Sequence, residues 1–133
     1  MTPEEASASA EISADSLLSA VKAFLVESAA HHLEGRDRFN ARVAANVLGI
    51  VQREQALGPA LQALDQEAAI RWLPPAKADK SIAQQLSRAL ASRELAPDSA
   101  VFDYLKARQL LVTAINNPKY VSRAVAEARW QGA

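Results

Sequence analysis

Apolar residues recur along this sequence with the 3.6-residue period of an α-helix, and this repeat limits what the chain can fold into. Leu17, Val21 and Phe24 share one helical face, and similar rows follow in later segments. The chain contains only 4 glycines, and runs of β-branched residues are absent. The sequence therefore predicts an all-α protein, a single compact bundle of five to six helices.

The length of 133 residues suits one domain with one hydrophobic core. Half of the residues are hydrophobic and 23% are charged, which is typical of a folded chain. The first residues are small, acidic and rich in serine, a composition that cannot bury a core. We therefore predict a flexible lead-in at residues 1–14 and a helical domain at residues 15–133.

The charge balance restricts the classes of partner. Fifteen basic residues offset fifteen acidic ones, whereas binding to nucleic acid or to an anionic membrane surface needs a basic surplus. Near-zero net charge favours self-association, so a homo-oligomer is expected. The lack of cysteine excludes disulfides and thiolate metal sites, and no signal-like or membrane-spanning apolar run occurs, so we expect a cytoplasmic protein.

Glycine and proline set the predicted helix boundaries. The second helix is predicted to end at Gly58, with Pro59 in the first turn of a third helix, where its missing N–H costs nothing. Pro74 and Pro75 end that third helix. The predicted N-caps of the first, fourth and fifth helices are Ser13 or Asp15, Asp79 or Ser81, and Asp98 or Ser99.

Three polar residues lie on predicted apolar faces. Asn40 and Glu54 fall within the apolar arc of the second helix, and Arg108 lies in the middle of the row on the fifth helix, at positions 101, 105, 108, 112 and 115. An isolated buried charge loses several kcal/mol of hydration. We therefore predict that a buried Glu54 pairs with Arg108, Arg42 or Arg53.

Three interpretations of these polar residues stay open. The first is a structural ion pair that fixes how the second and fifth helices dock. The second is a polar pocket for an anionic or amide-bearing ligand, lined by Arg42, Asn46, Glu54 and Arg108. The third is that the helix ends early and the polar groups reach solvent, since the arginine stem can lie along apolar surface while its head stays in water.

No pattern of residues in the chain indicates catalysis. A nucleophilic serine elbow and a glycine-rich phosphate loop are both absent from the sequence, and so is cysteine. His31 and His32 are consecutive, so they point about 100° apart and cannot bind one ion from the same helical face. We therefore predict no enzyme activity, no catalytic residue, no metal and no cofactor.

The turn NNPKY at residues 116–120 has two interpretations. In the structural one, Asn116 or Asn117 caps the end of the fifth helix or the start of the next, Pro118 begins the last helix and Tyr120 folds back onto the other helices. In the other, Asn117 and Tyr120 take part in binding.

Two runs of sequence together resemble a known family. They are RFNARVAANVLGIVQREQALGP at residues 38–59, and RALASRELAP at residues 88–97 followed by INNPKY at residues 115–120. The family consists of small bacterial all-helical domains of unknown function, found alone or beside aminoglycoside-phosphotransferase-like kinases and acyl-CoA dehydrogenases. The resemblance extends from about Leu17 to Tyr120, and this chain lacks the glycine expected near Arg93 or Glu94. The matching residues are Phe39, Arg42, Val43, Ala44, Asn46, Arg53, Glu54, Asn117, Pro118 and Tyr120.

The resemblance supplies no catalytic residue and implies association with another protein. We expect a non-catalytic accessory or interaction module that partners a kinase-like phosphotransferase or an acyl-CoA dehydrogenase. The alternative is a domain that binds a small ligand or an acyl group in the polar pocket between the second and fifth helices. The candidate ligand-binding residues are Arg42, Asn46, Arg53, Glu54, Arg108, Asn117 and Tyr120.

Overall fold

The computed structural model describes residues 12–75 and 81–131 of the chain. Within them lie five helices and no strand, which confirms the predicted all-α class. Helix α1 comprises α-helical Ala14–Ala23, π-helical Phe24–Ala29 and α-helical Ala30–His32. The others are α2 (Gly35–Trp72), α3 (Ile82–Ala91), α4 (Ser99–Asn116) and α5 (Val121–Gln131). Most of the lead-in predicted at residues 1–14 lies outside the described residues.

Side-chain caps begin three of these helices at predicted positions. Ser13, Ser81 and Asp98 each accept a hydrogen bond from the backbone N–H three residues ahead, at 3.1, 3.1 and 3.0 Å. Each bond satisfies one of the N–H groups that a helix start leaves without an internal partner. The alternative cap Asp79 lies outside the described residues.

The prediction of a break between Gly58 and Pro59 is wrong, because α2 runs through both residues for 38 residues in all. Pro59 has no N–H to donate, so the carbonyl of Gln55 lacks its helical partner. Gln55 and Pro59 are exposed, and water can therefore satisfy the carbonyl of Gln55. An exposed helix tolerates this proline, although proline remains unfavourable in a helix interior.

The chain divides into two compact units, residues Met1–Glu54 and Gln55–Ala133. In the first unit, α1 packs against α2 along a face of small residues, with Ala30, Ala41 and Ala45 buried. On the same face of α2, a Cβ built on Gly49 would lie 3.2 Å from Nζ of Lys22 on α1. Small side chains thus let the two helices approach closely.

Polar contacts reinforce the packing of this first unit. Nε2 of Gln52 donates hydrogen bonds to Oγ of Ser19 at 2.8 Å and to Oδ1 of Asp15 at 3.1 Å. Near the turn between the helices, Nε of Arg38 lies 2.9 Å from the carbonyl oxygen of Ala30. These bonds set the register of α1 along α2.

The second unit has its own hydrophobic core. Ala68 of α2, Leu86 of α3 and Tyr104 of α4 are buried together, and five partly buried residues pack around them: Leu64, Trp72, Leu73, Ile82 and Leu95. The predicted apolar row on α4 is wrong at one place, since Leu105 is exposed and Tyr104 is buried instead. Tyr104 is one turn before Arg108 and therefore on its face of the helix.

Candidate functional site

Arg108, the charged residue in the apolar row of α4, forms an ion pair with Asp65 of α2. Nε of Arg108 lies 3.0 Å from Oδ1 of Asp65, and Nη2 lies 3.5 Å from Oδ2. The two side chains are 28% and 16% exposed. The expected buried acid is thus Asp65, and the prediction that Glu54 fills this role is wrong, because Glu54 is exposed.

Asp65 also accepts a hydrogen bond from Tyr104. The hydroxyl of Tyr104 lies 2.5 Å from Oδ1, the same oxygen that accepts from Nε of Arg108. The ring of Tyr104 packs on Trp72 with a centroid separation of 5.7 Å and an angle of 60° between the planes. One carboxylate thus fixes both donors and, through Tyr104, the position of an aromatic pair.

The environment of Tyr104 keeps its hydroxyl protonated. Burial raises the pKa of Tyr104 above its ordinary value near 10, and the hydrogen bond to Asp65 and the charge of that carboxylate raise it further. The positive charge of Arg108 opposes this shift in part. Tyr104 is therefore a neutral hydrogen-bond donor throughout the physiological pH range.

The sequence contained a signal for Asp65 that the hydrophobic pattern obscured. Asp65 is four residues after Leu61 and three before Ala68, so it lies inside the apolar face of this part of α2. That placement mirrors the position of Arg108 on α4. Two opposite charges in two apolar faces are the pattern that identifies this pair.

A groove of about 330 Å³ lies beside the Tyr104–Asp65–Arg108 network. Its floor contains the rings of Trp72 and Tyr104 and small or aliphatic side chains, and three charged residues lie among its lining. The lining residues are Leu64, Glu67, Ala68, Arg71 and Trp72 of α2 and Ala100, Asp103, Tyr104 and Ala107 of α4. We call this feature the aromatic groove.

The rim of the aromatic groove carries charges of both signs. Glu67, Arg71 and Asp103 are exposed. The guanidinium of Arg71 lies 5.1 Å from the ring centroid of Trp72, within the range of a cation–π interaction. The groove can therefore hold an apolar group on its floor and orient that group by charge at its rim.

Two other surface depressions lack aromatic side chains. One, of about 340 Å³, lies between the end of α2 and α3 and includes Ile70, Leu73 and Ile82. The other, also about 340 Å³, lies in the first unit beside Lys22 and Glu27. Because aromatic and arginine side chains dominate binding energies at interfaces, the aromatic groove is the best candidate site.

Four predicted site residues lie on α2 within the first unit. Arg42, Asn46 and Glu54 are exposed there, and Arg53 is partly buried with Nη1 3.1 Å from the place of a Cβ on Gly49. A role for these residues in binding stays a prediction.

The NNPKY turn joins α4 to α5 through backbone bonds. Asn117 caps α4 by donating its N–H to the carbonyl of Thr113 at 2.8 Å, and its own carbonyl accepts from Tyr120 N–H at 3.1 Å. Two structural predictions for this turn are wrong. Pro118 lies three residues before the start of α5, and the side chain of Tyr120 is exposed rather than folded back.

Two further properties of the described residues concern possible sites. Among residues 12–75 and 81–131, no three His, Asp or Glu side chains are grouped so as to hold a metal ion. None of the helices in those ranges has both the length and the apolar character that crossing a membrane requires.

Comparison with known proteins gives one match. The model of a family described as a domain of unknown function, DUF6285, matches residues 31–120. No curated protein and no solved structure matches the chain. The matched residues include every lining residue of the aromatic groove.

Proposed function

This chain belongs to the DUF6285 family of domains of unknown function, and we propose that it is a non-catalytic interaction module that binds a partner enzyme through the aromatic groove. The observation that carries the proposal is the combination of Trp72, Tyr104 and Arg71 around one concave surface. Tryptophan, tyrosine and arginine are the residues most enriched at the centres of protein interfaces.

The support under the groove adds to this argument. Tyr104 cannot turn freely, because its hydroxyl is bonded to Asp65 and its ring packs on Trp72. A surface that is rigid before binding loses less conformational entropy when a partner docks. An apolar side chain of the partner would lie on the floor of the groove, against the rings of Trp72 and Tyr104 and the neighbouring alanines.

The class of partner comes from the family resemblance. We propose a kinase-like phosphotransferase or an acyl-CoA dehydrogenase, the two kinds of enzyme with which the resemblance implies an association. The mixed charges of the rim suit this role, since rim charges set specificity and association rate more than affinity.

The test is a binding measurement on the full chain. The purified protein is titrated by calorimetry into a phosphotransferase-like kinase and into an acyl-CoA dehydrogenase, first as the parent and then as Arg71→Glu. Arg71→Glu should weaken binding about tenfold, because it removes both the cation–π contact with Trp72 and the positive charge of Arg71 at the rim.

Arg88→Glu provides the matched control. Arg88 is an exposed arginine on α3 that does not line the aromatic groove, so the same change of charge there should leave the affinity unaltered. If neither enzyme binds the parent chain, the partner class is wrong. If Arg71→Glu and Arg88→Glu weaken binding equally, the groove is not the contact surface.

A second candidate function is binding of a small ligand or an acyl group, and the volume of the groove favours it. About 330 Å³ falls at the lower end of the range for small-molecule sites. An acyl chain would lie along Leu64, Ala68 and Ala107, with an anionic end near Arg71. This site uses residues of the second unit alone, and Arg108, which was predicted to line a polar pocket, is engaged by Asp65.

Thermal unfolding in the presence of a medium-chain acyl-CoA tests this second function. A ligand that binds only the folded state raises the unfolding temperature according to its affinity and concentration. The increase should appear for the parent chain and shrink for Ala107→Glu, which places a carboxylate on the apolar floor. An acyl-CoA that leaves the unfolding temperature of the parent unchanged argues against an acyl site.

A further inference from the structure

The part of α2 in the first unit carries an exposed apolar face. Phe39, Val43 and Val47 follow one another at intervals of four residues and are 64%, 40% and 50% exposed. Contiguous exposed apolar surface on a folded protein indicates an interaction site. We call the face of α2 that contains these residues the α2 stripe.

The α2 stripe is not used in packing against α1. The residues of α2 that approach α1 are Ala41, Ala45, Gly49 and Gln52, which lie on the opposite side of the helix at 100° per residue. The first unit therefore keeps its internal packing while the stripe remains available for another surface.

Six positions of the α2 stripe follow a heptad pattern, and Phe39 lies beside them. Residues recur at alternating intervals of four and three, the spacing by which two helices pack side by side with knobs in holes. The six positions, in order, are Arg36, Asn40, Val43, Val47, Ile50 and Glu54. Asn40 and Glu54, which interrupt the apolar arc, are thus regular members of the heptad.

These six positions are complementary to themselves when the helix direction is reversed. Turning one copy about a two-fold axis level with Ala45 sets Val43 against Val47 in the two central layers. Arg36 then meets Glu54 in both outermost layers, where opposite charges attract. A parallel pair would instead set like charges together at each end.

The intermediate layers of the same arrangement place Asn40 against Ile50. A single asparagine at such a core position fixes the register and number of helices, at a cost in stability. A surface that is complementary to its own copy about a two-fold axis gives a closed dimer, the commonest oligomer of soluble proteins. The balanced charge of the chain also favours self-association.

We propose that the chain forms a two-fold dimer in which the α2 stripes of two copies pair antiparallel, with Arg36 of each copy against Glu54 of the other. This inference does not rest on the proposed function, because the aromatic groove is a different surface. It explains why a carboxylate and an amide interrupt an otherwise apolar helical face.

The test uses charge reversal at the two ends of the stripe. Mass is measured by light scattering during gel filtration over a dilution series, for the parent and for Arg36→Glu and Glu54→Arg. Each variant alone should dimerise about tenfold more weakly, because two attractive pairs become two repulsive ones. An equimolar mixture of the two variants should recover dimers, since opposite charges then meet at both ends.

Arg42→Glu is the matched control. Arg42 is exposed on the same helix but lies outside the heptad positions, so the change of charge there should leave dimerisation unaltered. Far-ultraviolet circular dichroism of each variant establishes that its helices are intact. A parent chain that stays monomeric at every concentration overturns the proposal. So does a dimer that the end charges do not weaken, or one that the mixture fails to restore.

Discussion

Asp65 is the central acceptor of the Tyr104–Asp65–Arg108 hydrogen-bond network in the second unit. It accepts hydrogen bonds from Tyr104 and from Arg108, two donors one turn apart on α4. Because both charged side chains are less than a third exposed, solvent screens their attraction less than that of a surface ion pair, which contributes about 0–1 kcal/mol. The pair should therefore make a measurable contribution to stability.

A double-mutant cycle measures this contribution. Asp65→Asn keeps an acceptor for Tyr104 but removes the charge, and Arg108→Met keeps the length of the side chain. Each single change should lower the free energy of unfolding by about 1–3 kcal/mol. The double variant should lose less free energy of unfolding than the two single variants lose together. Urea unfolding should give a coupling free energy of about 1 kcal/mol.

Glu127→Gln is the control for this cycle. Glu127, whose side chain is 41% exposed, pairs with Arg123 at 3.4 Å within α5, and the change at this more exposed carboxylate should cost about 0.5 kcal/mol or less. Additive effects of Asp65→Asn and Arg108→Met would contradict the prediction, because additivity means that the two side chains do not interact.

The raised pKa of Tyr104 predicts a loss of stability at high pH. Below the ordinary pKa near 10, Tyr104 is neutral in both the folded and the unfolded state, so its stabilising contribution is fully present. Above that pH the unfolded state releases the proton while the folded state retains it. The free energy of unfolding should then fall by about 1.4 kcal/mol for each further pH unit.

Comparison with Tyr104→Phe isolates this effect, since all other titrating groups are present in both proteins. The phenylalanine variant should be less stable than the parent near neutral pH, because the hydroxyl no longer satisfies Asp65. The difference in the free energy of unfolding between the parent and Tyr104→Phe should shrink as the pH rises above about 10. A difference that stays constant up to pH 11 would show that the folded state does not hold this proton.

The partner of Arg108 shows what sequence can and cannot predict at the residue scale. A guanidinium in an apolar row correctly predicts a carboxylate on another helix, because a buried charge needs compensation. The choice between Glu54 and Asp65 depends on which face of α2 meets α4, and the sequence does not contain that information. Periodicity places both acids on apolar faces.

At the scale of helices, the turn after α3 carries strain that glycine would relieve. Arg93 has a φ of 63°, a left-handed conformation that costs a residue with a side chain about 1 kcal/mol. Its N–H donates to the carbonyl of Leu90, and the N–H of Leu95 donates to that of Ala89, so the turn ends α3 in the way that usually requires glycine. The family resemblance led us to expect a glycine at this place.

Arg93→Gly should therefore raise the free energy of unfolding by about 0.5–1 kcal/mol. Ala91→Gly is the matched control, because Ala91 is exposed and lies at the end of α3 itself, where glycine should cost a similar amount. Urea unfolding of the two variants should show shifts of opposite sign. A loss of stability in both would mean that Arg93 contributes contacts worth more than the strain.

Helix boundaries differ in how well local sequence determines them. Ser81 and Asp98 act as N-caps at predicted positions, because a cap depends only on a side chain and the next few N–H groups. Pro59 was expected to begin a new helix and instead lies within α2. Whether a helix continues through a proline depends on packing on both sides of it, which local patterns do not show.

At the scale of the whole molecule, periodicity predicts the fold class correctly because helical patterning is local. It does not show what covers each apolar face. Val43 and Val47 are large apolar residues on one face of α2 and yet are exposed, whereas the packing against α1 uses Ala41 and Ala45. Alanine contributes little to a hydrophobic pattern, so a face of small residues is hard to recognise from sequence.

The proposed dimer predicts that thermal stability depends on protein concentration. Unfolding of a dimer is linked to its dissociation. Tenfold dilution therefore lowers the free energy of unfolding by about 1.4 kcal/mol per mole of dimer, and the unfolding temperature of the parent should fall by a few degrees.

Val47→Asp places a charge in a central layer of the α2 stripe, and its unfolding temperature should not change on dilution. Arg42→Glu should retain the concentration dependence of the parent, since it leaves the heptad positions unchanged. Differential scanning calorimetry of the three proteins at matched dilutions makes the comparison. A parent whose unfolding temperature is the same at every concentration, as expected for Val47→Asp, would show that the exposed face of α2 does not hold two copies together.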